Sequence, residues 1–241
     1  MYPPTRSGAM LPKWCIQGCP HAGDSFQLQQ ARRTQMTRIL LVRHGHVEGI
    51  EPVRFRGRSD TQLTSLGRTQ ALRLAARLQK HSPPAFVYTS PMSRCVDTGT
   101  YIATACTATS ATLGYLNDLD YGNWQWLTHA EVKQKWPEEF EVWRAKPHLM
   151  RFPGGESLQD LVCRTADALR YVLDKHANEQ RPVVLVGHDS VNRALLIQLL
   201  DQPLSAYWRI EQSPCAINEF DVGPASIKIH RVNDTAHLEE V

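Results

Sequence analysis

The sequence predicts an α/β fold: a layered α/β/α arrangement with a largely parallel central sheet, in a single domain. Three observations predict it. Short, continuous apolar runs at residues 38–42, 85–88 and 182–187 have the length of strands buried on both faces. Stretches with helical spacing and helix-start signals stand between these runs, and strands alternating with helices lie side by side in parallel. From residue 38 onward no internal repeat and no linker divides the chain, so residues 38–241 form one domain.

The elements follow in order. Arg38-Ile39-Leu40-Leu41-Val42 is the first strand, and a polar, Arg-rich loop runs from it to about residue 63. Thr64-Ser65 opens a helix through Lys80, with Leu66, Leu72 and Leu78 among its apolar positions, and Pro83-Pro84 stops it. Ala85-Phe86-Val87-Tyr88 is a second buried strand ending at Thr89-Ser90-Pro91, and a helix follows over about 92–106. Leu113–Leu119 offers a further extended piece. The Trp-rich stretch 121–152 is helical in part, punctuated by Pro137 and Pro147. Ser157 with Asp160 three residues on forms a capping box for a helix to about His176. Pro182–Gly187 is the clearest buried strand, and Ser190–Leu200 is the helix after it. Ala216–Val222 and Ser226–Val232 close the sheet around a Gly223-Pro224 turn.

The chain has 241 residues with 27 basic and 24 acidic side chains, a formal charge of +3. Residues 1–37 hold Arg6, Lys13, Arg32 and Arg33 against the single acid Asp24, so the entire excess lies there and the body is formally neutral. This leading segment lacks sustained periodicity and reads as a disordered extension, or as a start placed too early with Met36 as the true first residue. It lacks the apolar stretch of a secretory signal. Cys15, Cys19 and His21 offer three potential metal ligands where structural zinc needs four, so no metal site is assigned. The scattered Cys95, Cys106, Cys163 and Cys215 read as reduced thiols of a cytoplasmic protein. No apolar run is long enough to span a membrane, and no motif supports nucleic-acid binding.

In parallel sheets ligands gather at the carboxyl ends of the strands. Here the first strand runs into Arg43-His44-Gly45-His46, the clearest strand into Gly187-His188-Asp189, and the second into Thr89-Ser90 with Arg94 one turn further. One histidine after a strand is unremarkable chemistry, but two, each accompanied by arginines, define a candidate site. These blocks resemble the histidine phosphatase superfamily, the phosphoglycerate mutase-like proteins of branch 1. The likeness continues through Arg54-Phe55-Arg56-Gly57 with Asp60, Leu63-Thr64, Gly67 and Gln70-Ala71, through Leu116-Asn117-Asp118 with Gly122 and Trp124, and through Gly154-Gly155-Glu156-Ser157. Val186-Gly187-His188 with Arg193 completes it, and it covers roughly residues 38–232.

The resemblance implies that His44 attacks phosphorus and becomes a phosphohistidine. A histidine nucleophile must be neutral, and flanking guanidinium charges favour that form. Arg43 and Arg94 would grip phosphoryl oxygens bidentately, and a protonated His188 would donate a further hydrogen bond. Such a cast needs no metal and no other cofactor. Arg56 and Gly57 match phosphate-contacting positions; Arg54 and Arg58 are basic neighbours with the same potential. For the proton donor to the leaving oxygen there are two candidates. Asp118 falls where this branch commonly has Glu, and is favoured; Asp189 follows His188 as in the acid phosphatase branch, with a helix N-cap as its structural alternative. Ile50 and His46 depart from the family pattern on the rim loop. Trp124, Trp126, Trp136 and Trp143 are assigned to packing, and His129 and His148 to the surface.

The resemblance therefore implies a phosphomonoesterase acting on a small phosphate ester. The alternatives are a cofactor-dependent phosphoglycerate mutase, against which the short 33-residue separation of Gly122 and Glu156 argues, and a non-catalytic phosphate-binding module of the same fold.

Overall fold

β1 (Thr37–Arg43) lies at the centre of a six-stranded sheet, between a parallel and an antiparallel neighbour. The structure, a computed structural model, describes residues 36–239; the leading segment with Cys15, Cys19 and His21 lies outside the described residues. After β1 come α1 (Ser65–His81), β2 (Phe86–Thr89), α2 (Ser93–Cys106) and β3 (Thr109–Thr112). Two short helices, α3 (His129–Lys135) and α4 (Pro137–Ala145), precede α5 (Leu158–Lys175), β4 (Val183–Gly187) and α6 (Asp189–Leu199). β5 (Ile217–Val222) and β6 (Ile227–Asp234) complete the sheet. The strand order is β3-β2-β4-β1-β5-β6, with β5 antiparallel to both of its neighbours.

The alternation of each central strand divides the core between the two faces. Ile39 and Leu41 of β1 and Leu185 of β4 pack with Leu161, Ala168 and Val172 of α5 and Leu195 of α6. Leu40, Val42, Val184 and Val186 point the other way, onto Ala71, Leu74 and Leu78 of α1 and Ile102 of α2. Helices thus cover both faces of a largely parallel sheet, as the sequence predicts.

Local signals set the helix ends. Thr64 caps α1 by accepting from the Gly67 amide. Thr128 with Glu131 and Ser157 with Asp160 form capping boxes on α3 and α5. Pro137 opens α4, where its missing N–H costs nothing.

Two expectations are corrected. Leu66 and Leu72 are exposed, because α1 buries instead the stripe of Gly67, Ala71, Leu74, Ala75 and Leu78. The extended piece expected at Leu113–Leu119 is a 3₁₀ turn at Gly114–Leu116; the strand is the preceding Thr109–Thr112, an edge strand exposed along its length.

The loop that leaves β1 crosses the start of α1 with almost no clearance. A Cβ added at Gly67 would stand 2.1 Å from the His46 carbonyl oxygen, and one at Gly45 would stand 2.5 Å from the Gly67 oxygen. Gly67→Ala is expected to lower the urea midpoint, with an overpacking cost of about 1–3 kcal/mol. Gly114→Ala, where a Cβ meets nothing within 4 Å, is expected to leave stability unchanged or slightly raised.

Candidate active site

Register brings the site together. Arg43 pairs with Gly187 across β1 and β4, the His44 amide donates to the Gly187 carbonyl at 3.0 Å, and the Ser90 amide donates to that of Val186 at 3.0 Å. The residues after β1, β2 and β4 therefore share one level at the sheet's carboxyl edge, and the His44 and His188 rings meet edge to face with centroids 5.2 Å apart.

Both imidazoles are buried. Burial, then the charges of Arg94 and Arg43, holds His44 well below the ordinary histidine range. Its Nδ1–H donates to its neighbour Gly45's carbonyl at 2.7 Å, so the neutral ring carries its lone pair on Nε2. His188 is also held neutral, by burial and then by Arg94, Arg164, Arg56 and Arg43. Its Nδ1 accepts from Arg94 Nε at 3.3 Å, which leaves the proton on Nε2, 2.9 Å from Ser90 Oγ. The protonated His188 expected from the sequence is thus absent from this form of the site, because dry surroundings crowded with guanidinium charge oppose a further cation.

Arg94 is fully buried. Beyond His188, it donates to the carbonyls of Ser59 (2.9 Å) and Gly57 (2.7 Å) and to Asp118 Oδ2 (3.1 Å). The free bidentate fork expected of Arg94 is therefore largely committed to the protein. Asp118 Oδ1 accepts from the Ser190 hydroxyl at 2.5 Å and the Leu119 amide at 2.9 Å. Arg43 Nη1 donates to the Gln212 carbonyl at 2.5 Å and stands 3.7 Å from Asp189 Oδ1. The Nε–H groups of Arg43 and Arg56 are buried with no hydrogen-bond partner. Asp189 does not cap α6 as its structural alternative requires; both of its oxygens accept from Arg193, at 2.9 and 3.1 Å.

A cavity of about 120 Å³ opens onto this set, lined by His44, Arg56, Gly57, Asp118, Asp189 and Ser190 at its chemical end. Arg43, Arg94 and His188 lie around this end without lining the opening. The outer wall holds Val53, Phe55, Tyr121, His129, Trp143 and Trp208. His129 is exposed, as expected, and packs its ring on Phe55 at 4.7 Å on the rim of the cavity. Trp143 is core and wall at once. Arg58 turns away to Asp120 (3.2 Å) and Glu156 (3.1 Å), whereas Arg54 lines the cavity and lies over the Trp126 ring.

Sequence reasoning gave no role to Ser90 or Ser190, although each adjoins a residue it did single out. Trp208 carries no local signal at all, since it arrives from a 3₁₀ turn after α6. Among the described residues, no cluster of His, Cys, Asp and Glu has the arrangement of a metal site.

The geometry joins a histidine whose neutral form is favoured, an uncommitted imidazole lone pair and buried guanidinium groups around one cavity. The chain belongs to the histidine phosphatase superfamily, branch 1, whose family model matches residues 39–235. It is 31% identical over 205 residues to phosphoserine phosphatase 1 of Hydrogenobacter thermophilus, covering 85% of this chain and 96% of the relative. It is 32% identical over 168 residues to a metal-independent phosphoserine phosphatase of Arabidopsis thaliana, covering 69% and 70%. Among solved structures, a mycobacterial glucosyl-3-phosphoglycerate phosphatase superposes with a TM-score of 0.76 at 26% identity, covering 83% of this chain and all of the other.

The two neutral histidines fix a pH dependence. Below about pH 6.5 each binds a proton in the unfolded chain but not in the fold, so stability falls with acidification by about 1.4 kcal/mol per pH unit for each. His44→Asn is expected to reduce the slope of unfolding free energy between about pH 6.5 and pH 5 by one such contribution, measured by urea denaturation across that range.

Proposed function

We propose that the protein is a phosphomonoesterase that hydrolyses a small phosphorylated metabolite through a phosphohistidine on His44. The observation that carries this reading is the orientation of His44: Nδ1–H is tied to a backbone carbonyl, and Nε2 keeps its lone pair in a ring held neutral at the floor of the cavity.

In the first half-reaction, His44 Nε2 forms a bond to phosphorus while the bond from phosphorus to the ester oxygen breaks. The electron pair leaves on that oxygen, which takes a proton from Asp118. In the second, water attacks phosphorus and gives a proton to Asp118, and the N–P bond breaks to release inorganic phosphate and neutral His44. The partnerless Nε–H groups of Arg43 and Arg56 supply donors for phosphoryl oxygens. Arg94 is drawn from Asp118 toward the phosphoryl group, freeing the carboxyl to carry the proton it gives. His188, beside His44, hydrogen-bonds the group in transfer. Gly57 lets the chain approach closely: its φ is +48°, and a Cβ there would meet the Leu119 carbonyl at 2.9 Å. Asp189, held by Arg193, contributes to the rim that receives the rest of the substrate.

Concentrated guanidinium charge takes the part that divalent cations play in other phosphoryl transfers, and the Arabidopsis relative is by name metal-independent. The small cavity supports a metabolite rather than a macromolecule as substrate. The free Cys95, Cys106 and Cys215, all buried, support a reducing, cytoplasmic setting.

Mixing the enzyme with a chromogenic phosphomonoester is expected to give a burst of alcohol and an acid-labile phosphoenzyme that His44→Asn abolishes. Excess EDTA is expected to leave turnover unchanged. Asp118→Asn is expected to cost about 10²–10³ in turnover of an alkyl phosphate, within the usual range for acid–base catalysis. Read in the burst phase, which reports the first half-reaction alone, it should cost far less with p-nitrophenyl phosphate, whose leaving group needs no proton. The same selective loss in Asp189→Asn, but not in Asp118→Asn, would transfer the role.

A further inference from the structure

An ionic network lies outside the cavity, beneath the loop that carries Asp118. Arg164 of α5 donates through Nε and Nη2 to the two oxygens of Glu156, both at 2.9 Å. Its Nη1 donates to the carbonyls of Tyr115 (2.8 Å) and Asn117 (2.7 Å), and its Nη2 also donates to that of Asp118 (3.0 Å). Every N–H of the guanidinium is thereby used. Glu156 in turn accepts from the Asp120 amide at 3.0 Å and from Arg58 at 3.1 Å, and Arg58 reaches Asp120 Oδ2 at 3.2 Å. The Arg164 and Glu156 side chains are mostly buried, at 16% and 17% exposure, where such bonds are screened least.

Backbone contacts fasten the same loop. The Glu156 amide donates to the Asp120 carbonyl and the Asn123 amide to that of Pro153, each at 2.9 Å. A Cβ on Gly155 would stand 2.3 Å from the Asp120 oxygen, and one on Gly122 would stand 2.2 Å from the Pro153 oxygen. The loop is therefore gripped from behind at Tyr115, Asn117, Asp118 and Asp120, while the Asp118 carboxyl in front is free to exchange partners. None of Arg58, Glu156 and Arg164 lines the cavity.

We propose that Arg164, with Glu156 as its counter-charge, is a positioning residue that sets the depth and orientation of the Asp118 carboxyl for proton transfer to the leaving oxygen. This rests on the reading of Asp118 as the proton donor. A lysine cannot replace it: an ammonium keeps the charge but cannot span Glu156 and three carbonyls from one planar fork. Misplacing a reacting group by about 1 Å costs on the order of a hundredfold in rate.

The test uses the full chain and two substrates, a primary alkyl phosphate such as O-phosphoserine and p-nitrophenyl phosphate. In Arg164→Lys, the single-turnover rate of phosphoenzyme formation from the alkyl ester is expected to fall about tenfold to a hundredfold, with KM and the same rate from p-nitrophenyl phosphate little changed. The double variant Asp118→Asn/Arg164→Lys should lose no more than Asp118→Asn alone, because the arginine acts through that carboxyl. Glu156→Gln, which keeps the side chain's size, is expected to give the same selective loss and stands in should Arg164→Lys not fold. Equal losses on both substrates would reduce Arg164 to a structural role and overturn the proposal. If Asp118→Asn shows no selectivity between the substrates, the proton-donor reading itself fails, and the proposal with it.

Discussion

The buried charge of Arg94 organises the site. A guanidinium with no exposed surface must find its hydrogen-bond partners within the protein, and it finds them in His188, Asp118 and the carbonyls of Gly57 and Ser59. Those partners come from three separate segments of the chain, so a single side chain ties together Asp118, His188 and the Gly57–Ser59 loop. Its charge also acts on His44, favouring the neutral ring. Replacing this arrangement with an apolar core would be easy to tolerate energetically. What it would remove is the means of receiving a dianion in a dry pocket.

Around that centre, two kinds of support meet. Backbone register across β1, β2 and β4 brings the His44, Ser90 and His188 positions to one level. The Asp118 loop has no such scaffold, since only 3₁₀ turns flank it. It depends on side-chain bonds from α5 and on close glycine contacts with the turn at 153–155. Strand-borne groups are thus placed by the fold, and Asp118 by a network added to it.

The distinction explains what the sequence revealed. Continuous apolar runs marked the central strands, and polar residues directly after them marked His44, Arg43 and His188. β3 escaped notice because an exposed edge strand, Thr109–Thr112, has no buried face to impose a pattern. Leu66 and Leu72 misled because large apolar residues drew the eye from the small ones, Gly67, Ala71 and Ala75, that actually let α1 approach the sheet. Arg43, His44, Arg56, Gly57, Arg94, Asp118, His188 and Asp189 do gather at one edge. What no local pattern encoded was protonation and partnership: that His188 shares its ring with Arg94 and Ser90, that Arg58 turns outward, and that His129 and Trp208 build the outer wall. These follow from burial and from contacts between distant segments.

The central placement of β1 also sets the order in which the molecule can be built. The strand that leads into His44 is the first of the described strands to be synthesised, yet its two neighbours, β4 and β5, begin 146 and 180 residues after its own start. Until then its edges of N–H and C=O groups and its apolar residues have no native partner, a state that favours stray association. α1, α2 and β2 can assemble with one another earlier, but the sheet cannot close over its own middle. Nascent chains shorter than residue 187 should therefore hold β1 open to chaperones.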